Sequence, residues 1–127
     1  MKRIILLAFL CTTTLVMAQR INHVQEAIAN YDYEAALTLI AKEKPTIPLL
    51  LQKGKAQRGL GMNTEALSTY QEIITNDTAN TRAYIEAAEC CRSLAKYQQA
   101  LKYYEQALDL NPENKYVRIQ YIGLLLS

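Results

Sequence analysis

Few side chains in this 127-residue sequence are of a type and spacing that could carry out chemistry. The adjacent Cys90 and Cys91 come first, because a thiolate can act as a nucleophile or a metal ligand. Neighbouring residues on a helix point about 100° apart, so a disulfide between these two would distort the backbone. Metal binding would need further Cys or His residues at fixed spacing, and the sequence has none nearby. We therefore expect Cys91 to point inward as a small apolar residue.

The other candidates for catalysis are isolated from one another. His23 is the only histidine, and a catalytic histidine requires a group that orients it. The sequence contains no Gly-rich phosphate loop, and its carboxylates occur singly on faces that we expect to be solvated. We predict that the chain is not an enzyme and that it holds no metal and no cofactor.

A group of charged residues in the middle of the chain has two interpretations. Positions 42–58 contain a single acid, Glu43, and five basic residues: Lys42, Lys44, Lys53, Lys55 and Arg58. Of these, Lys55 and Arg58 could pair with Glu86 and Glu89 on a neighbouring helix, as a solvated ladder worth ~0–1 kcal/mol per pair. Alternatively, they bind polar or charged groups of another molecule.

Helical periodicity predicts the elements that position these residues. Apolar residues recur every three or four positions in residues 84–94 and again in residues 100–108, which is typical of one face of an α-helix. Thr81 is a plausible N-cap for the first helix, and Pro112 cannot extend the second. Two antiparallel helices in about 34 residues form one repeat of a helical solenoid.

The same unit recurs earlier in the chain. Residues 47–80 align with residues 81–114, with identical residues at six positions: Arg58/Arg92, Leu60/Leu94, Ala66/Ala100, Leu67/Leu101, Tyr70/Tyr104 and Asn80/Asn114. A weaker copy includes Ala36, and the step from Ala36 to Ala66 is shorter than a full repeat, so that this copy lacks about one helical turn. We predict repeats at about residues 20–46, 47–80 and 81–114, followed by a C-terminal helix at residues 115–127.

The limits of individual helices follow from the same patterns. The first repeat is predicted to contain helices at Ile21–Ala29 and at about Tyr33–Lys42. In the second repeat, Asn63 is predicted to cap the second helix.

This pattern resembles the tetratricopeptide repeat (TPR) family. The large, small, alanine, aromatic, second alanine and proline positions of that family are held here by Tyr84, Ala88, Ala100, Tyr104, Ala107 and Pro112. The middle copy departs from the pattern, with Ile73 and Thr78 in place of the second alanine and the proline, and with Lys53 and Gln57 where apolar residues are usual. The resemblance covers roughly residues 20–122. It implies an all-α, right-handed superhelical solenoid of antiparallel helix pairs, in which the small side chains of Ala66 and Ala100 allow the two helices of a pair to pack closely.

The resemblance also implies a binding surface. In the TPR family the first helix of each repeat, helix A, lines a concave groove that holds a peptide. By that mapping the candidate groove residues are Leu51, Gln52, Lys55, Arg58, Arg82, Ile85, Glu86, Glu89 and Arg92. The subclass that clamps a C-terminal carboxylate is disfavoured, because Ile21, Gln25, Gln52 and Glu86 occupy positions of its Lys, Asn and Arg residues, and only Arg82 suits. The expected partner is a protein or peptide.

The N-terminus is predicted to be a signal peptide, residues 1–18. A basic start precedes an apolar run, Ile4–Leu10, and Val16-Met17-Ala18 offers the small residues that signal peptidase recognises. The segment Ile4–Ala18 is shorter than the roughly 20 residues that span a bilayer as a helix. Cys11 raises a lipoprotein alternative, which Leu10 disfavours because a small residue is expected there. We expect an exported, periplasmic or envelope-associated protein after cleavage near Ala18.

Removal of this segment changes the charge of the chain. The 14 Lys and Arg residues fall to 12 when Lys2 and Arg3 are lost, against 12 Asp and Glu residues. A neutral domain without a basic stripe lacks the electrostatic footprint of a nucleic-acid-binding protein. We therefore expect no nucleic-acid partner.

The C-terminal segment predicts a helix that is apolar nearly all round. A solenoid normally ends in a helix with a polar outer face, because its last apolar face has no neighbour. Either the chain is the front part of a longer protein, or this helix packs on another subunit. The candidate interface residues are Tyr116, Val117, Ile119, Ile122, Leu125 and Leu126.

Together these patterns predict an exported TPR adaptor or scaffold that binds a protein segment in its helix A groove. One alternative is a structural subunit that self-associates through the C-terminal helix. Another is the N-terminal fragment of a longer TPR protein, in which an active part follows Ser127.

Overall fold

A computed structural model describes residues 2–127, which form seven α-helices joined by short turns. Met1, the first residue of the predicted basic start, lies outside the described residues. The helices are α1 (Lys2–Ala29), α2 (Tyr33–Ile40), α3 (Ile47–Gly59), α4 (Asn63–Asn76), α5 (Thr81–Ser93), α6 (Tyr97–Leu110) and α7 (Lys115–Leu126). No strand occurs within residues 2–127. Each helix packs on the next along the chain, which confirms the predicted all-α solenoid.

Side-chain caps explain where the later repeats begin. The Asn80 side chain accepts a hydrogen bond from the backbone N–H of Ala83 at 3.0 Å, so Asn80 is the N-cap of α5 and the predicted cap at Thr81 is wrong by one residue. Asn114 caps α7 in the same way. These two asparagines align in the repeats because each caps the N-terminus of the first helix of the unit that follows. Helix α4 begins at Asn63 without a side-chain cap, which corrects the prediction that Asn63 is its cap.

The apolar core has two parts. The larger part joins α3 to α7 and contains Ala66 and Ala100, both fully buried, which confirms the predicted close contacts between paired helices. Tyr70 and Tyr104 are the largest fully buried side chains within it. The smaller part joins α1, α2 and α3 and includes Val24, which is 1% exposed.

The turn inside each repeat contains a residue with left-handed backbone geometry. Tyr31, Gly61 and Ala95 have φ of 61°, 74° and 57°, and they follow α1, α3 and α5 respectively. Only glycine adopts this geometry without a steric cost from its Cβ. The match of Gly61 with Ala95 in the repeat alignment thus reflects a backbone requirement that the third repeat meets with strain.

Two helix boundaries differ from the prediction. The first helix does not start at Ile21 but runs unbroken from Lys2 to Ala29, because no Gly or Pro interrupts it. Residues 2–20 of this helix are exposed, and by length and composition it could cross a membrane. Helix α2 ends at Ile40, two residues before the predicted Lys42, and is the shortest of the described helices.

Candidate partner-binding surface

Helices α3, α5 and α7 are joined side by side through one repeated contact. Arg58 of α3 donates a hydrogen bond to the carboxylate of Glu86 on α5. Arg92 of α5 donates to the side-chain oxygen of Gln120 on α7 at 2.6 Å. Both residues of the second pair align with those of the first, shifted along the chain by one repeat. The same lateral contact therefore recurs, with an amide in the second pair where the first has a carboxylate.

Glu89 connects three helices through its carboxylate. Its Oε1 accepts hydrogen bonds from the hydroxyl of Tyr104 on α6 and, at 2.9 Å, from that of Tyr116 on α7. Its Oε2 lies 3.3 Å from Nη1 of Arg92 on its own helix. The repeat alignment places Glu89 in the groove and Tyr104 in the core, and neither assignment predicts the contact between them. The signal that could have indicated it is the requirement that a buried tyrosine hydroxyl find a partner.

The tyrosines of this surface are held as hydrogen-bond donors. Burial raises the pKa of Tyr104, and its hydrogen bond to Glu89 raises that pKa further. Burial also raises the pKa of Tyr116, with the Glu89 carboxylate as the next cause. Both hydroxyls therefore keep their protons near neutral pH, and the carboxylate of Glu89 is occupied inside the chain.

Two basic residues among the predicted groove residues have no carboxylate partner within residues 2–127. Lys55 and Arg82 are exposed, and no carboxylate oxygen lies within 4.0 Å of their side-chain nitrogens among residues 2–127. The ladder interpretation of the charges thus applies to Arg58 and not to Lys55. Burial is the largest cause of the raised pKa of Tyr70, and the charges of Arg58 and Arg82 act in the opposite direction.

The remaining predicted groove residues are half-buried. Leu51 and Ile85 pack against the larger core cluster with one edge open to solvent. Gln52 is also half-buried and lies one turn before Lys55 on α3. The surface therefore carries partly open apolar side chains and paired acids, and within residues 2–127 Lys55 and Arg82 have no carboxylate partner.

The predicted interface on α7 is only partly exposed. Ile119, Ile122, Leu125 and Leu126 are each more than half exposed, and Tyr116 is 51% exposed. Val117 is fully buried in the larger core cluster, so its assignment to an exposed interface is wrong. Its alignment with the buried Ala83 of the preceding repeat would have indicated this.

The cysteines lie inside the chain. Cys90 and Cys91 are both fully buried and unbridged, as expected for the inward position of Cys91. Burial raises the pKa of Cys90 to about 11, so its thiol is protonated and unreactive near neutral pH. Within residues 2–127, no group of three or more His, Cys, Asp or Glu residues is arranged to hold a metal ion.

The chain is similar in sequence to known repeat proteins. Residues 81–114 match the tetratricopeptide repeat family. Tetratricopeptide repeat protein 6 of Homo sapiens is 30% identical over 89 residues, which are 70% of this chain and 16% of that protein. The chain therefore spans about a sixth of the length of that relative.

Solved structures of low sequence identity share the fold. The first TPR of Spaghetti (RPAP3), bound to the HSP90 peptide SRMEEVD, superimposes with a TM-score of 0.80 at 19% identity, covering 86% of this chain and 90% of that one. The Yersinia enterocolitica type III secretion chaperone SycD, in complex with a peptide of the translocator YopD, gives a TM-score of 0.81 at 16% identity, covering 87% and 93%.

Proposed function

Since this chain is a tetratricopeptide repeat protein, we propose that it is an adaptor that binds a polypeptide segment of another protein. The segment lies along the surface formed by α3 and α5, called here the helix A surface: Leu51, Gln52, Lys55, Arg58, Arg82, Ile85, Glu86, Glu89 and Arg92. The peptide-bound structures of the RPAP3 repeat domain and of SycD, which have the same fold, support this proposal.

The main support for the proposal is the contrast between charged side chains that are paired within the chain and those that are not. Glu86 and Glu89 are occupied by Arg58 and by two tyrosines, whereas Lys55 and Arg82 have no carboxylate partner within the described chain. A partner segment thus meets free cations beside the open edges of Leu51 and Ile85. An apolar segment with acidic or carbonyl groups suits this surface, and its binding should weaken as salt screens the charges.

Charge reversal at the free cations tests the adaptor function. The full chain is first used to capture its partner from an envelope extract of its own host, and the bound segment is mapped by crosslinking. Replacement of Lys55→Glu with Arg82→Glu should then weaken binding of that segment at least tenfold. Arg58 is left intact, because its loss would leave Glu86 without its partner and confuse binding with stability.

A matched charge change elsewhere completes this test. Lys102→Glu with Lys115→Glu makes the same change in net charge at exposed positions on α6 and α7. This control should bind within twofold of the unaltered chain. An equal loss of affinity in both double variants would mean that overall charge, and not this surface, determines binding. Unchanged affinity in both variants would overturn the proposed surface.

The adaptor is proposed to act after export, in the periplasm or attached to the envelope. The exposed apolar part of α1 supports this location, since it joins a basic start to a small-residue cleavage pattern near Ala18. Mass spectrometry of the protein from its own cells checks the proposal. A mature chain that begins at Gln19 is expected, and a chain that retains residues 2–18 in a soluble cell fraction would contradict it.

A second candidate function, assembly through α7, follows from its exposed face. Ile122 aligns with the fully buried Ala88 of the preceding repeat, yet it remains about half exposed on α7. Ile122→Glu with Leu125→Glu should convert a self-associating chain to a monomer in light scattering, whereas Arg118→Glu on the same helix should leave it unchanged. A full chain that is monomeric without these substitutions would exclude this function.

A further inference from the structure

A pocket of ≈ 360 Å³ lies between α2 and α3 and shares no residue with the helix A surface. Its lining is partly aliphatic, with Leu37 and Ile40 from α2 and Leu49 and Leu50 from α3. Lys44, from the connector, and Lys53, from α3, also line it. A concave apolar site with a small number of polar groups is the usual form of a binding pocket.

The pocket lies beside a helix that is shorter than its counterpart in the next repeat. Helix α2 has 8 residues, whereas α4 has 14. In the last turns of α4, Ile73 is fully buried in the core that α4 shares with α5. The alignment of Ala36 with Ala66 puts Glu43 at the position that Ile73 holds in the next repeat, and Glu43 lies after the end of α2. The first repeat therefore lacks the turn that would bring an aliphatic side chain to this place.

The charge at the edge of the pocket is positive. Glu43 is the only acid among the lining residues, and it is paired with Arg20 at 2.9 Å with only 11% of its side chain exposed. Neither Lys44 nor Lys53 has a carboxylate oxygen within 4.0 Å among residues 2–127. Lys53 stands where the third repeat has the fully buried Ala87, so an ammonium group replaces a core methyl beside the missing turn.

We propose that this pocket binds a branched aliphatic side chain of a partner polypeptide that has an acidic residue next to it. The aliphatic group takes the place that Ile73 holds in the following repeat, and the carboxylate pairs with Lys53 or Lys44. This site is separate from the helix A surface, so the two can be tested independently. It gives the chain a specificity for sequence that the fold of the repeats does not provide.

Two short peptides that differ only in charge test the pocket. Binding of N-acetyl-Ile-Asp-amide and of N-acetyl-Ile-Asn-amide to the full chain is followed by amide chemical shifts in nuclear magnetic resonance. The acidic peptide should shift residues of α2, the connector and the first turns of α3, with an affinity at least fivefold higher than that of its amide counterpart. Equal affinity of the two peptides, or shifts confined to the helix A surface, would overturn the proposal.

Substitutions at the pocket provide the complementary test. Ala41 is exposed and lines the pocket, so Ala41→Phe should fill it and weaken binding of the acidic peptide more than tenfold. Lys53→Glu should reverse the preference between the two peptides, and it keeps the test decisive if Ala41→Phe fails to fold by circular dichroism. Arg82→Glu, on the helix A surface, should leave both affinities unchanged. Unaltered binding to a folded Ala41→Phe chain would exclude the pocket as the site.

Discussion

The ring of Tyr70 lies directly against the backbone of Gly54. A Cβ placed on Gly54 would stand 2.4 Å from Cζ of the ring, which is closer than any stable contact. In the next repeat the corresponding residues are Ala88 and Tyr104, both fully buried. The contact between paired helices therefore depends at this point on the smallest side chains.

Gly54→Ala should destabilise the chain by about 1–3 kcal/mol, because the added methyl forces the buried ring of Tyr70 to move within a packed core. Urea unfolding followed by circular dichroism measures the change. Gly123→Ala is the matched control, since nothing lies within 4 Å of a Cβ added there. In the last turn of α7 this control should stabilise by up to about 1 kcal/mol. Equal stability of both variants would contradict the contact between Tyr70 and Gly54.

At the left-handed turn positions, replacing alanine by glycine should stabilise the chain, and replacing glycine by alanine should destabilise it. Ala95→Gly removes the strain of an L-residue at φ 57° and should stabilise by up to about 1 kcal/mol, after the greater entropy of the unfolded chain is subtracted. Gly61→Ala introduces that strain at φ 74° and should destabilise by about 1 kcal/mol. No atom lies within 4 Å of a Cβ at Gly61, so packing does not confuse the second result. Shifts of the same sign in the two variants would refute the backbone explanation.

Glu89→Ala should destabilise by about 1–3 kcal/mol, because the buried hydroxyl of Tyr104 loses its acceptor. Unfolding by urea is again the measurement. Glu113→Ala serves as a control: its side chain is 86% exposed and 3.8 Å from Arg118, and its removal should change stability by less than about 0.5 kcal/mol. If the two substitutions had equal effects, the carboxylate of Glu89 would not be the connection between α5, α6 and α7.

Stability should fall in alkaline solution. Burial is the largest cause of the raised pKa values of Tyr70 and Tyr104, whose ordinary value is 10.0, and it raises the pKa of Cys90 from 9.0 to about 11. A group with a raised pKa in the folded state stabilises fully below its unfolded pKa, and this contribution is lost as pH rises through the folded pKa. The free energy of unfolding should therefore decline above about pH 9.

Urea unfolding at a series of pH values from about 7 to 11 checks this decline. Tyr104→Phe removes one of the responsible groups, so its stability should fall less steeply above about pH 10 than that of the unaltered chain. A free energy of unfolding that stays constant through pH 11 would show that these side chains are solvated in the folded protein.

The repeat architecture was predictable because its signals are local and periodic. The regular repeat spacing and the small side chains at Ala66 and Ala100 were sufficient to predict the fold and the close helix contacts. Alignment assigns each residue a place but not a partner. For this reason it placed Glu89 in the groove without indicating the two tyrosine hydroxyls that donate hydrogen bonds to it.

Features that break the repeat were harder to predict. The shortness of the first copy was visible in the reduced step from Ala36 to Ala66, but the pocket that it leaves beside α2 depends on how the connector folds back. The amphipathic pattern used for α1 begins at Ile21, and a uniformly apolar stretch has no periodicity by which to judge whether the helix continues. The sequence pattern therefore does not indicate that α1 extends back to Lys2.

The unbroken course of α1 sets the direction in which the first repeat faces. While Ile4–Ala18 remains attached and lies in a bilayer, it belongs to the same rigid helix as the buried residues Val24 and Ile28. The orientation of the apolar segment therefore fixes the orientation of that buried face. Each residue of an α-helix adds a rotation of about 100° around the helix axis and a rise of about 1.5 Å along it. One residue inserted between these parts would rotate every later repeat by more than a quarter turn about the membrane normal.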